Sequence, residues 1–134
     1  MRAKFAVFAS VVALLLGTGS AIAHHSFAAE FDASRAVTLK GVVTKIEWQN
    51  PHTYFYLDVS AADGKVVNWG MEMGSPNGLM RQGWTRNTLK IGDSVTVEGS
   101  QAKDGTNVGN ARVVVLDATG QRLFAASSQT QTPH

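Results

Sequence analysis

Apolar and polar residues alternate with a period of two along most of this chain, the pattern of strands that bury one face. The first such run is Ala36 to Trp48, where Val37, Leu39 and Val43 share one face and Val42, Ile46 and Trp48 share the other. Parity therefore changes inside the strand. Gly41 stands at the change, where a glycine permits a bulge or a sharp coil. A strand that coils in this way serves two sides of a closed barrel. Thr53 to Val59 follows the Asn50-Pro51 turn, with Phe55, Leu57 and Val59 on one face. After a hairpin turn at Asp63-Gly64, Val66 to Met73 sends Val67, Trp69, Met71 and Met73 inward.

The period then changes. Ser75-Pro76 supplies an N-cap and a proline at the first helical position, and Gly83 ends the helix by about Gln82. Ile91-Gly92-Asp93 turns into a strand over Ser94–Gly99 with Val95 and Val97 inward. Asp104-Gly105 opens a loop before a β-rich run from Ala111 to Leu116, and a turn at 117–120 precedes Arg122–Phe124. Five strands with a short helix between the third and fourth predict an all-β fold, a small OB-like five-stranded barrel. A small β-sandwich is the alternative. The β domain is placed at residues 36–124. Residues 24–35, polar with Phe27 and Phe31 as apolar pegs, read as an N-terminal arm, and the small, polar residues 125–134 as a disordered tail.

Residues 1–23 add a processing signal. Arg2 and Lys4, an apolar run from Phe5 to Leu16 and the small residues Ala21 and Ala23 make a secretory signal peptide cut after Ala23. Gly19 and Ala21 form a second small-x-small site, so cleavage after Ala21 is the alternative. The expected location is periplasmic or secreted, with no membrane insertion after processing. Of the twelve Lys and Arg, Arg2 and Lys4 leave with the signal, and the ten that remain balance the ten Asp and Glu. Nucleic-acid binding, which draws on dense positive charge, is not expected. The chain has no cysteine, hence no disulfide framework and no thiolate metal site.

Five blocks together resemble domain of unknown function 6152, a group of uncharacterised exported bacterial proteins. They are His24-His25-Ser26-Phe27, Gly41-Val42-Val43, Trp48-Gln49-Asn50-Pro51-His52, the run from Glu72 to Leu79, and Leu89-Lys90-Ile91-Gly92-Asp93. The likeness runs from His24 to about Leu116. It implies export and a shared fold, and it transfers no catalytic residues.

Candidate chemistry begins with three histidines, His24, His25 and His52. Cleavage after Ala23 frees an α-amine beside the His24 imidazole, and imidazole nitrogens in a tetragonal set suit copper. His52 supplies a third nitrogen. Cleavage after Ala21 instead makes His24 the third residue, and amine, amides and imidazole then form a square-planar copper site. Copper is the expected cofactor if there is one, and a solvated arm with a turn histidine bonded to nearby backbone is the plainer reading. Met71 and Met73 invite comparison with a copper(I) site, but their inward alternation beside Trp69 reads as core.

A second candidate site uses aromatic residues. Tyr54 and Tyr56 lie opposite Phe55 and Leu57 and look outward, with Trp48 nearby, on the strands where an OB barrel takes ligands. Cross-strand packing is the plainer reading of them. Asn77 and Arg81 are candidates for a pocket at the helix start, and Glu72 reads as solvent-facing or paired with Arg81 or Arg86. No nucleophile–base set is legible, so the chain is read as a non-enzymatic binding module that binds copper through its histidine-bearing terminus. The alternative is a metal-independent module for a small ligand or protein partner, using the aromatic strand face.

Overall fold

The computed structural model describes residues 27–127, which hold six strands, a short helix between the third and fourth, and a helical turn at residues 27–30. The expected signal segment, His24, His25 and residues 128–134 lie outside the described residues. The strands are β1 (Phe31–Glu47), β2 (Tyr54–Ser60), β3 (Val66–Glu72), β4 (Ser94–Ala102), β5 (Val108–Leu116) and β6 (Gln121–Phe124), with α1 (Pro76–Arg81) between β3 and β4. β1 pairs antiparallel with β2 and with β4, β2 pairs with β3, and β4 pairs with β5. A short parallel pairing of Gly70–Glu72 with Val108–Asn110 joins β3 to β5 and closes the ring. That closure makes the fold a five-stranded OB-like barrel rather than a sandwich. β6, the Arg122–Phe124 run, is a sixth strand added to β5 outside the ring.

β1 is long because it serves both neighbours. It pairs with β4 as far as Val42 and with β2 from Gly41 onward, so positions 41 and 42 bond on both sides. At Gly41 a Cβ would stand 2.3 Å from the Asp58 carbonyl oxygen, which makes glycine a requirement of the close approach. The change of parity is not at Gly41, however. The ladder shifts between Val43 and Lys45. This bulge returns Ile46 and Trp48 to the core that Leu39 and Val43 already line, and it leaves Val42 46% exposed.

The barrel interior holds Val43, Phe55, Leu57, Met71, Met73, Val95, Val97 and Val114. α1 adds Leu79 to this core, and Trp84 and Leu89 join it from the following loop. The Ser75 side chain accepts a hydrogen bond from the Gly78 N–H at 3.2 Å, which caps the helix as its sequence implies.

Both flanks of the β domain are more ordered than their composition suggests. β1 begins at Phe31, paired with Ala102, and residues 27–30 are helical, with the Phe27 ring 5.6 Å from that of Phe31. Ala125 and Ala126 are buried, and the Ala125 backbone bonds Gly74 and Arg112. Among the described residues, no helix is long and apolar enough to cross a membrane.

Candidate functional site

His52, Tyr54 and Glu72 meet where β2 begins and β3 ends. The hairpin register places Tyr54 directly opposite Glu72, with both side chains on the outer face. The Tyr54 hydroxyl donates to Glu72 Oε2 at 2.5 Å. Glu72 Oε1 faces His52 Nδ1 at 3.6 Å, and the Met73 carbonyl oxygen lies 3.2 Å from the same nitrogen. Met73 N in turn donates to the Thr53 carbonyl, which pins the backbone on both sides of the cluster. Glu72 is buried, so the reading of this residue as solvent-facing or paired with an arginine is corrected. A buried carboxylate needs partners, and Tyr54 and His52 supply them.

The electrostatics follow from this burial. Loss of water, then the hydrogen bond to Glu72 and that carboxylate's charge, push the Tyr54 phenol well above the ordinary tyrosine range. The phenol stays protonated and remains a donor. Glu30 adds to the same shift, which places its charge within electrostatic reach of Tyr54. The Glu30 carbonyl oxygen accepts from the Lys103 N–H at 2.9 Å, so the helical residues 27–30 adjoin the end of β4.

The two atoms that face His52 Nδ1, a carbonyl oxygen and a carboxylate oxygen, are both acceptors. Nδ1 therefore carries the proton, and the lone pair of the neutral ring lies on Nε2. A carbonyl or carboxylate on one ring nitrogen is the arrangement that orients histidines for metal binding through the other. One imidazole does not hold an ion tightly, and among the described residues no group of three or more His, Asp or Glu side chains is placed to do so.

The other candidates separate from this cluster. Tyr56 lies one row along, between Lys45 on β1 and Gly70 on β3. Its ring covers Gly70, where a Cβ would stand 3.1 Å from Cε1, and the Lys45 ammonium lies 5.1 Å from the ring centroid. Lys45 is itself paired with Glu47 at 2.6 Å. Trp48 packs against the core. Asn77 and Arg81 are exposed on α1, and their side chains make no hydrogen bond or ion pair with any described residue. Surface cavities of about 360 and 220 Å³ lie elsewhere, the larger lined by Glu30, Phe31, Ala102, Lys103 and neighbours. Met71 and Met73 are core residues, 0% and 1% exposed.

Sequence reading placed His52 and Tyr54 in two different sites and missed the residue that unites them. The signal was present. Counting outward from the Asp63-Gly64 turn puts position 54 opposite position 72, and a glutamate facing a tyrosine beside a histidine is then visible.

A family model described as "Family of unknown function (DUF6152)" matches residues 12–111 of this chain. A local similarity links it to the cytosolic Fe-S cluster assembly factor NAR1 of Yarrowia lipolytica (strain CLIB 122 / E 150), 37% identical over 49 residues. That stretch is 37% of this chain and 10% of the relative, so the chain spans a tenth of that protein's length.

Proposed function

The chain belongs to DUF6152, a family described only as of unknown function, and from that premise and the geometry above we propose that it is an exported, non-enzymatic module that binds copper. The observation that supports this reading is His52, whose Nδ1 faces the Met73 carbonyl and Glu72, which leaves Nε2 as the ring nitrogen with a lone pair. The remaining nitrogens come from the His24 and His25 segment. These two residues precede Glu30 by six and five positions, at most about 20 Å of extended chain, and the Glu30 charge acts on Tyr54. Cleavage after Ala23 would add the α-amine. The basic, apolar and small-residue order of positions 1–23 supports export to the periplasm.

The metal-independent alternative has less support from geometry. Tyr56, the centre of the aromatic face, has one side of its ring on Gly70 and Lys45 near the ring. The iron–sulfur cluster in the name of the Yarrowia relative is not proposed for this chain, which has no cysteine.

The test is copper(II) titration of protein recovered after export without a histidine tag, alongside His24→Ala, His25→Ala and His52→Ala. Weaker binding in His52→Ala and in one or both terminal variants is expected. Equal affinity in all four proteins sinks the reading.

A further inference from the structure

The first half of β3 is a strand with one neighbour. Residues 70–72 pair with β2 on one side and β5 on the other, whereas residues 66–69 pair with β2 alone. The Gly70 N–H donates to the Asn107 carbonyl, so even-numbered residues of β3 turn their backbone groups away from β2. The same alternation points the N–H and C=O of Val66 and of Asn68 out of the sheet, and among the described residues nothing bonds them. Side chains leave this edge open as well. The Asn68 amide lies back over the sheet, on Asp58 at 2.8 Å and Thr44 at 3.2 Å, and Val66 is 62% exposed. No proline, bulge or inward charge, the usual guards of a free edge, stands within residues 66–69. By contrast, the edge of β6 is covered at Phe124, whose carbonyl takes the Trp84 indole.

The four unbonded groups are complementary to themselves. In an antiparallel pairing of two copies centred on Val67, Val66 of each copy lies opposite Asn68 of the other, and each such pair exchanges two hydrogen bonds. Every free group then has a partner. Centring on Asn68 would call on Gly70, already bonded to Asn107, and centring on Val66 would call on Gly64, already bonded to Ala61. The charges agree with the same register. Lys65 is the one charged residue of positions 64–70, and the two-fold sets it opposite the half-buried Trp69 ring of the other copy, not against its own kind. Beyond Lys65 the hairpin turns back toward β2, where Lys65 and Gly64 bond Ala61, and this carries each chain away from the Asn107 loop of the other. We propose that this edge is a self-association surface, where a second copy of the chain adds its own β3 and one sheet runs across a two-fold axis.

Sedimentation equilibrium of protein recovered after export is expected to show a mass that rises with concentration from one chain toward two. The register is read with cysteine, which the chain lacks. Val67→Cys meets its own copy on the axis, at a pair whose Cα atoms stand about 4.5 Å apart, and is expected to form a disulfide-linked dimer under mild oxidation. Val66→Cys is the more exposed thiol but faces Asn68, with its own copy beyond the roughly 7 Å reach of a bridge, and should link at least about tenfold more slowly. Val66→Pro removes one outward donor per copy and no bond to β2, and is expected to weaken association by about tenfold. Thermal melting checks that it is folded. If it is not, Val67→Lys, which sets like charges together on the axis, takes its place. A monomer at every concentration overturns the proposal. So do equal linking rates at positions 66 and 67, or undiminished association of the folded Val66→Pro or Val67→Lys protein. Val67→Cys linked to a different polypeptide gives the edge to a foreign strand and overturns the assignment to a second copy.

Discussion

The Trp84 indole N–H donates to the Phe124 carbonyl oxygen at 2.7 Å, tying the loop after α1 to the end of β6. Trp84 is otherwise enclosed by the core, so its one polar atom has a partner and its rings fill space. The two contributions separate by mutation. Trp84→Phe removes the donor, leaves the Phe124 carbonyl without its partner and is expected to cost about 1–3 kcal/mol. Trp84→Ala adds a cavity and is expected to cost about 3–5 kcal/mol. Urea unfolding at constant slope measures both, and equal losses would contradict the division.

Gly41 lies where β1 passes between β2 and β4. A methyl group there would meet the Asp58 carbonyl oxygen at 2.3 Å, and backbone cannot step aside as a side chain can. Gly41→Ala is expected to cost about 1–3 kcal/mol through strain. Gly64→Ala, in the open hairpin turn with φ at 82°, strains its own backbone without a clash, and about 1 kcal/mol is expected. Parallel thermal melts rank the two, and a Gly41→Ala protein as stable as wild type would show that β1 shifts to make room.

These glycines also mark how far the sequence could be read. The alternation around Phe55, Trp69 and Val97 is local, and it located the strands and their inward faces within a few residues. The bulge after Val43 escaped because it depends on two partner strands, and Gly41 drew attention to the wrong residue. Trp84 escaped for another reason. It sits among Gly83, Thr85, Arg86 and Asn87, where no periodicity distinguishes a buried ring from a loop. Glu72 looked exposed by strand parity, and it does lie on the outer face. Its burial comes from Tyr54 and His52 across the hairpin, a tertiary effect that single-strand parity does not contain.

Acid should loosen the barrel's outer face. The hydrogen bond from Arg122, and then the charges of Arg122 and Arg112, hold the Glu98 carboxyl below its usual value of 4.5. Ser94 and Thr96 hydroxyls, with Lys40 nearby, do the same for Asp117. A carboxyl whose folded pKa is depressed contributes stability that is present above the unfolded pKa and lost as pH falls through the folded one. The melting temperature is therefore expected to fall on going from about pH 5 to about pH 3. In Glu98→Gln the fall should be shallower, with lower stability at neutral pH. An identical pH profile for Glu98→Gln and wild type would rule out this contribution.

The Tyr54–Glu72 bond yields the sharpest stability test because both partners are held on adjoining strands. Removing the hydroxyl in Tyr54→Phe leaves a buried carboxylate short of a donor, and a hydrogen bond to a charged group contributes about 1.5–3 kcal/mol. Glu72→Gln keeps an acceptor for the hydroxyl and gives up the charge, so its cost should be smaller. If the phenol matters only through this carboxylate, Tyr54→Phe should cost less when Glu72 is already glutamine. A double-mutant cycle then shows a coupling of about 1 kcal/mol. Zero coupling would mean that Tyr54 stabilises the hairpin through its ring alone. The same four proteins, titrated with copper(II), separate stability from binding. A variant that melts like wild type yet binds less copper places the lost interaction in the site and not in the barrel.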